Sequence, residues 1–526
     1  MNDSAEPAPR RPGAAGDDAP RTGAAAPQRL RTSVGVGGTA VIAMANTAPT
    51  LSIGIGLGLI SLDVGAAVPA MVLLAVLPVL GIALAFSRLN RSERNLGASY
   101  TWVGRTLSPW LGFQCGWVNL AGSTIYLAYG SQVCGSMVLG FADECHWTSV
   151  LGLALNPTSI ALTTAVGLVV LIGLTYLALR GADVVARLQT PLIAFEYLVL
   201  IGFCGYAAIR GTHPIAASWF NPFTASSPKL AATGIILCVY CFWGWDSAFT
   251  LTEETRGPRD SARAGFGSIF LMLGMFLLAA VGFERYFSLS AMGANGAQLL
   301  PYLGTQLAKQ PLAAFPLLAM LFSSVASLQT GVLPNARGAL AMGRDGTLGR
   351  VWTRVSPKYG TPALGSLLIA GVAAAIAVLG IGIGTLNQFV QAMATSVGIL
   401  VSGYYGLAGL ACAWRFRREL RAGLRTALGS VVLPTISALL LLGLGAFLAV
   451  SDWQASTGFA LNAQNGRFLA AVPMAVVAVG IALSGWAKWG RRSRYFAAGG
   501  DGVGDLATVD GQPNPMTVID AALATE

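Results

Sequence analysis

Runs of roughly 20 apolar residues, the length needed to cross about 30 Å of hydrocarbon as a helix, can be placed twelve times along this chain. The spans are 34–60, 65–87, 110–140, 158–179, 186–209, 230–253, 264–288, 312–335, 362–381, 386–413, 428–450 and 467–489. Backbone polar groups in lipid must be satisfied within the protein, so this pattern leaves little besides a helical bundle. Composition agrees: 54% of residues are hydrophobic and 11% charged, whereas a soluble domain carries about 25% charged residues. The expected fold is an all-α polytopic membrane protein of about 12 transmembrane helices.

A net charge of +10 invites a nucleic-acid reading, but the placement of the basic residues argues against it. Of 33 Lys and Arg, 28 fall in alternate segments on one side of the twelve spans, and only Arg210, Lys229, Arg285, Lys309 and Arg467 fall on the other. That asymmetry places both termini in the cytoplasm, in the plasma membrane of a cell. Nucleic acid is not expected as a partner; membrane lipid is, and oligomeric state is not readable.

Residues 1–32, rich in Ala, Pro, Arg and Gly, have no apolar core for a signal peptide and read as a disordered cytoplasmic tail. Residues 490–526 read as a second one, leaving 33–489 as the membrane domain. Arg491, Arg492 and Arg494 could bind phospholipid or signal topology. The seven cysteines form no disulfide framework, and the Cys238–Cys241 CxxC lies in an apolar helix without metal-ligand neighbours. Helix packing is the reading preferred for it over redox chemistry. The histidines, His146 and His213, fall in loops. No cofactor and no metal are expected.

Within the spans, Phe242–Pro258 reads FWGWDSAFTLTEETRGP and sets a carboxylate, Asp246, beside Gly244 in an apolar helix. An ionisable group at bilayer depth costs roughly 2.5–3.5 kcal/mol on insertion scales, so it usually lines a cavity or an ion path. The first span is interrupted too, by Ala45–Ser52, ANTAPTLS, where Pro49 removes a backbone donor and Asn46, Thr47 and Thr50 can satisfy freed groups. Interrupted helices at corresponding places of two halves point to a transporter site. The first and sixth spans stand five crossings apart, as inverted repeats of five require. Simple kinks are the alternative, since Pro and Gly are common in membrane helices.

Several segments resemble the amino acid-polyamine-organocation (APC) permeases. They are Ser87–Trp117, with its Gly-x-x-Tyr and Gly-Phe/Gly-Trp pattern; WFNPF at Trp219–Phe223; GWDSAFTLTEETRGPRD at Gly244–Asp260; and Ser327–Pro362, similar to the family's eighth helix and its inner loop. The resemblance covers about residues 34–490. It implies a leucine-transporter-type fold of 5+5 inverted repeats, over about 34–209 and 230–413, with two extra helices at 428–489. It also implies secondary transport of amino acids, polyamines or related amines by proton symport or by exchange, with H+ as the coupling ion.

By motif position, the backbone around Asn46, Thr47, Ala48 and Thr50 would take a substrate carboxylate, and the carbonyls of Cys241, Phe242 and Gly244 an amino group. Tyr240 stands where some members place an aromatic gate. Asp246 could bind an ammonium, exchange a proton or cap the broken helix; Trp245 departs from the usual Phe before it. Glu196, in LQTPLIAFEYLVLIGF, occupies the place where some members carry a lysine in lieu of sodium, and it could carry protons or make a structural hydrogen bond. Ser323 and Ser324 could offer oxygens to sodium, or simply pack helices. Glu253, Glu254, Arg256, Arg259, Arg337, Arg344 and Asp345 could form an inner charge network.

An enzyme would need a clustered nucleophile, base or metal set; a receptor, long signalling domains; a channel, a filter or charged ring. None of these is present in the sequence. Two acids in apolar spans lean the cargo toward a cationic or zwitterionic amine, and without a GxxxxGK[ST] loop the energy would come from a gradient.

Overall fold

The computed structural model describes residues 35–497 except Leu96, Thr148, Leu151, Gly152, Thr158, Gly181, Glu253, Glu254, Pro258, Pro357 and Gly360. Among these residues are 11 apolar helical stretches of membrane-crossing length. The first, Val36–Ser92, has 57 residues, roughly 85 Å at 1.5 Å per residue, far more than one bilayer. It turns back at Gly65, where φ is +62°, a left-handed conformation open to glycine. The two legs raise the total to the twelve crossings expected.

Helices two to twelve are Val68–Ser92, Pro109–Glu144, Ile160–Ala178, Ala182–Arg210, the broken sixth, Asp260–Tyr286, Phe315–Arg344, Ala363–Gly380, Leu386–Arg415, Leu433–Gln454 and Gly466–Gly485. Local chemistry starts many of them. Ser108, Ser159, Ser227 and Asn465 accept from first-turn N–H groups, and Thr385 with Gln388 forms a capping box. The only paired strands described are two residues each, Ser149–Val150 against Leu153–Ala154.

The outer surface is apolar. Val169 and Ile172 of the fourth helix are 71% and 70% exposed, suited to lipid rather than water. Inside, small residues let backbones approach: a Cβ on Gly135 would meet the Thr163 carbonyl oxygen of the fourth helix at 1.9 Å.

The first helix runs Val36–Asn46, breaks, and resumes at Pro49. Pro49 has no N–H to continue the ladder, and Ala48 before it is left-handed, φ 48° and ψ 64°. The sixth runs Pro228–Phe242, breaks, and resumes for Ser247–Thr250, with Gly244 at φ +123°. The two breaks cross: Asn46 Nδ2 donates to the Gly244 carbonyl at 3.4 Å. This is the leucine-transporter-type arrangement of five plus five helices, with the eleventh and twelfth appended.

The second tail begins later than expected. Within 490–497, Tyr495 is 1% exposed and stacks on Tyr100 at 5.0 Å between centroids, and the Ser493 hydroxyl donates to the Asp345 carbonyl at 2.7 Å. An aromatic side chain buries too much area to remain in water when a matching ring is available. Residues 1–34 and 498–526 lie outside the described residues.

Candidate substrate site

A cavity with about 1010 Å³ of empty space lies between the two helix breaks. Of the residues expected there, Asn46, Thr47, Ala48, Tyr240, Cys241 and Asp246 line it. Thr50, Phe242 and Gly244 do not. The Thr50 side chain is fully buried against the fifth helix, and the Phe242 ring packs edge-on against Phe276 at 5.0 Å. Gly244 is pressed on the first helix, where a Cβ would come within 2.7 Å of the Asn46 carbonyl carbon.

The third helix supplies a wall that sequence reasoning missed. Asn119, Ser123, Tyr126, Gly130 and Val133 line the cavity at spacings i, i+4, i+7, i+11 and i+14, one face of a helix. Polar residues in that register within an apolar span were the available signal. Gly331, Pro334 and Asn335 contribute from the eighth helix.

Two carboxylates mark the two breaks. Asp246 is 7% exposed and accepts from the Tyr404 hydroxyl of the tenth helix at 2.6 Å. That hydroxyl in turn accepts from Trp243 Nε1 at 2.7 Å. Aromatics close the space around it. Tyr126 meets Trp243 edge-on at 6.2 Å, and the Tyr129 and Tyr240 hydroxyls bond each other across the third and sixth helices. Trp245, by contrast, is 1% exposed and belongs to a core with Phe86, Phe249 and Tyr405.

Glu196 lies behind the first break. It is fully buried, and Oε2 accepts from the Thr50 hydroxyl at 3.0 Å and the Thr50 N–H at 3.4 Å, while Oε1 has no hydrogen-bond partner among the described residues. Ser323 of the eighth helix accepts from the Leu51 N–H at 3.3 Å. Ser324 instead donates to the Leu321 carbonyl at 3.1 Å.

A smaller cavity of about 420 Å³ lies beyond Asp246, against Gly97–Tyr100, and shares Asn119, Asp246, Thr250 and Asn335 with the first. These four side chains form the partition between the two spaces.

Of the charges expected to form a network, Glu253 and Glu254 lie outside the described residues. Arg337 is 1% exposed, a buried cation that the sequence reading did not place there, and its Nη1 donates to the Leu333 carbonyl at 2.9 Å. Glu93, not among those expected, pairs with Arg105 at 2.6 Å and Arg415 at 3.7 Å. Glu284 of the seventh helix is a third buried carboxylate, 4% exposed, which the sequence reading overlooked.

Comparison with known proteins agrees with this geometry. A family model described as amino acid permease matches residues 36–483. The chain is 26% identical over 323 residues to the low-affinity putrescine importer PlaP of Escherichia coli (strain K12), covering 58% of this chain and 66% of PlaP. It is 24% identical over 296 residues to the branched-chain amino acid permease BcaP of Lactococcus lactis subsp. cremoris (strain MG1363), covering 52% and 60%. It is 22% identical over 353 residues to the mitochondrial cationic amino acid transporter 3 of Arabidopsis thaliana, covering 61% and 52%. The chain thus spans less than two thirds of the length of these relatives. With two broken helices crossing at a cavity inside a twelve-helix bundle, and a family match over most of its length, the chain belongs to the amino acid permeases of the APC superfamily, and is a transporter.

Proposed function

We propose that this chain is a secondary permease that carries an amino acid or related amine across the plasma membrane by alternating access, in symport with protons, both termini being cytoplasmic. The observation that carries this reading is Glu196, buried between the fifth helix and the first break with hydrogen bonds only from Thr50 among the described residues. A buried carboxylate without a cation is costly. It is tolerated charged while Thr50 donates to it, and takes a proton when the rocking first helix withdraws Thr50. Substrate binding at the break then biases the same movement, which couples cargo to proton.

The cavity supports an amine cargo: Asp246 offers negative charge and the surrounding rings offer faces to an ammonium. The similarity to a putrescine importer and to a cationic amino acid transporter supports it further. The partition of Asn119, Asp246, Thr250 and Asn335 would be the inner barrier.

The test is uptake of labelled amino acids and polyamines into proteoliposomes with and without an imposed inward proton gradient. Accumulation that rises with the gradient is expected. Accumulation indifferent to it, but requiring substrate on the far side, would replace symport with exchange.

A further inference from the structure

The cavity wall has its hydrogen-bond donors occupied and its acceptors open. Across the first break, Thr47 N–H bonds the Ala43 and Met44 carbonyls at 3.2 Å each and Ala48 N–H bonds the Ala45 carbonyl at 3.1 Å. Pro49 has no N–H. Thr50 N–H goes to Glu196 at 3.4 Å, Leu51 N–H to Ser323 Oγ at 3.3 Å and Ser52 N–H to the Ala48 carbonyl at 2.8 Å. A helix N-terminus ordinarily presents free N–H groups to an anion. At this one, side chains of the fifth and eighth helices already cover those groups.

Side-chain donors are turned onto the protein as well. The Thr47, Ser247 and Thr250 hydroxyls donate to backbone carbonyls at 2.6, 2.6 and 2.9 Å, and Asn335 Nδ2 donates to the Gly331 carbonyl at 2.7 Å. The acceptors stay available. Asp246 presents its carboxylate to the cavity, and Pro228–Phe242 ends there, so its last carbonyls have no i+4 N–H. No lining residue is Lys or Arg.

We infer that this cavity selects an amine cation without a carboxylate, an aliphatic diamine, over the α-amino acid of the same side-chain length. An ammonium finds Asp246, helix-end carbonyls and aromatic faces. A carboxylate buried in the same place finds almost no donor and keeps its desolvation cost. The inference rests on the reading of this cavity as the transport site.

Matched pairs test it on the full chain: 1,4-diaminobutane against ornithine and 1,5-diaminopentane against lysine, by thermal stabilisation of the purified protein and by uptake into proteoliposomes. Each diamine is expected to give its half-maximal melting shift at a concentration at least tenfold below that of its amino acid. Pro49→Ala, which restores an N–H at the head of the half helix, should narrow that ratio; if the variant does not fold, the wild-type comparison decides. Amino acids that stabilise at equal or lower concentration, and are carried, would overturn the inference and leave the permease reading standing. Diamines that bind but never accumulate would overturn the permease reading and leave the inference standing. Stabilisation by no compound of either pair would overturn both.

Discussion

The Tyr404 hydroxyl donates to Asp246 Oδ2 at 2.6 Å across 158 residues of sequence, tying the tenth helix to the break in the sixth. The tenth helix thereby registers whatever happens to the carboxylate. A cation that binds Asp246 competes for the same lone pairs, so cargo binding loosens or shifts the tenth helix. Trp243 extends the chain of donors, since its indole N–H ends on the same hydroxyl.

Tyr404→Phe removes this donor and leaves Trp243 Nε1 without its acceptor. A hydrogen bond to a charged group contributes about 1.5–3 kcal/mol, so the half-saturating concentration for uptake should rise by about tenfold or more in a protein that still folds. Asp246→Asn should be more severe, removing the charge itself. Initial uptake rates against concentration separate the two.

Glu196→Gln keeps an acceptor for Thr50 but cannot cycle a proton. Uptake driven by a proton gradient should fall to the level seen without one, while counterflow of labelled for unlabelled substrate continues. Loss of both activities together, in protein that melts at the wild-type temperature, would mean that Glu196 has a structural role instead.

Gly244→Ala places a side chain at φ +123° and drives its Cβ to 2.7 Å from the Asn46 carbonyl carbon. The backbone conformation alone costs about 1–3 kcal/mol, and the backbone contact cannot yield as a flexible side chain would. Transport should be lost and the melting temperature lowered. Gly173, with open space where a Cβ would go, is the control that should tolerate Ala.

Asp345, just past the eighth helix, titrates in a buried setting. Burial pushes its carboxyl from the usual 3.8 up to about 7, against the opposing pull of the Tyr100 hydroxyl and of Arg105 and Arg344. The folded chain therefore holds the proton where the unfolded chain has released it. This group's contribution to stability is full below pH 3.8 and is lost as pH rises to about 7. The wild-type melting temperature should decline over that window more steeply than that of Asp345→Asn.

Much of this architecture was legible in the amino-acid order. Spans of apolar residues give twelve crossings because a helix in lipid must satisfy its own backbone. Pro49 and Gly244 mark the breaks because one lacks a donor and the other admits φ values that a Cβ forbids. Asp246 and Glu196 stand out because charge in an apolar run is costly.

What the linear order leaves undecided is direction and pairing. Trp243 faces the cavity and Trp245 the core, because two residues turn the chain about a broken helix by an amount that no local pattern records. Thr50 reads as an open donor in sequence, yet Glu196, 146 residues away, accepts from both its N–H and its hydroxyl. Tyr495 reads as tail, and packs because Tyr100 is waiting for it. The sequence by itself determined the helices, their breaks and the carboxylates within them, since these follow from local hydropathy and backbone sterics. Only the tertiary structure decided which donors remain free at the cavity, because each is satisfied by a partner that folding alone brings within hydrogen-bond reach.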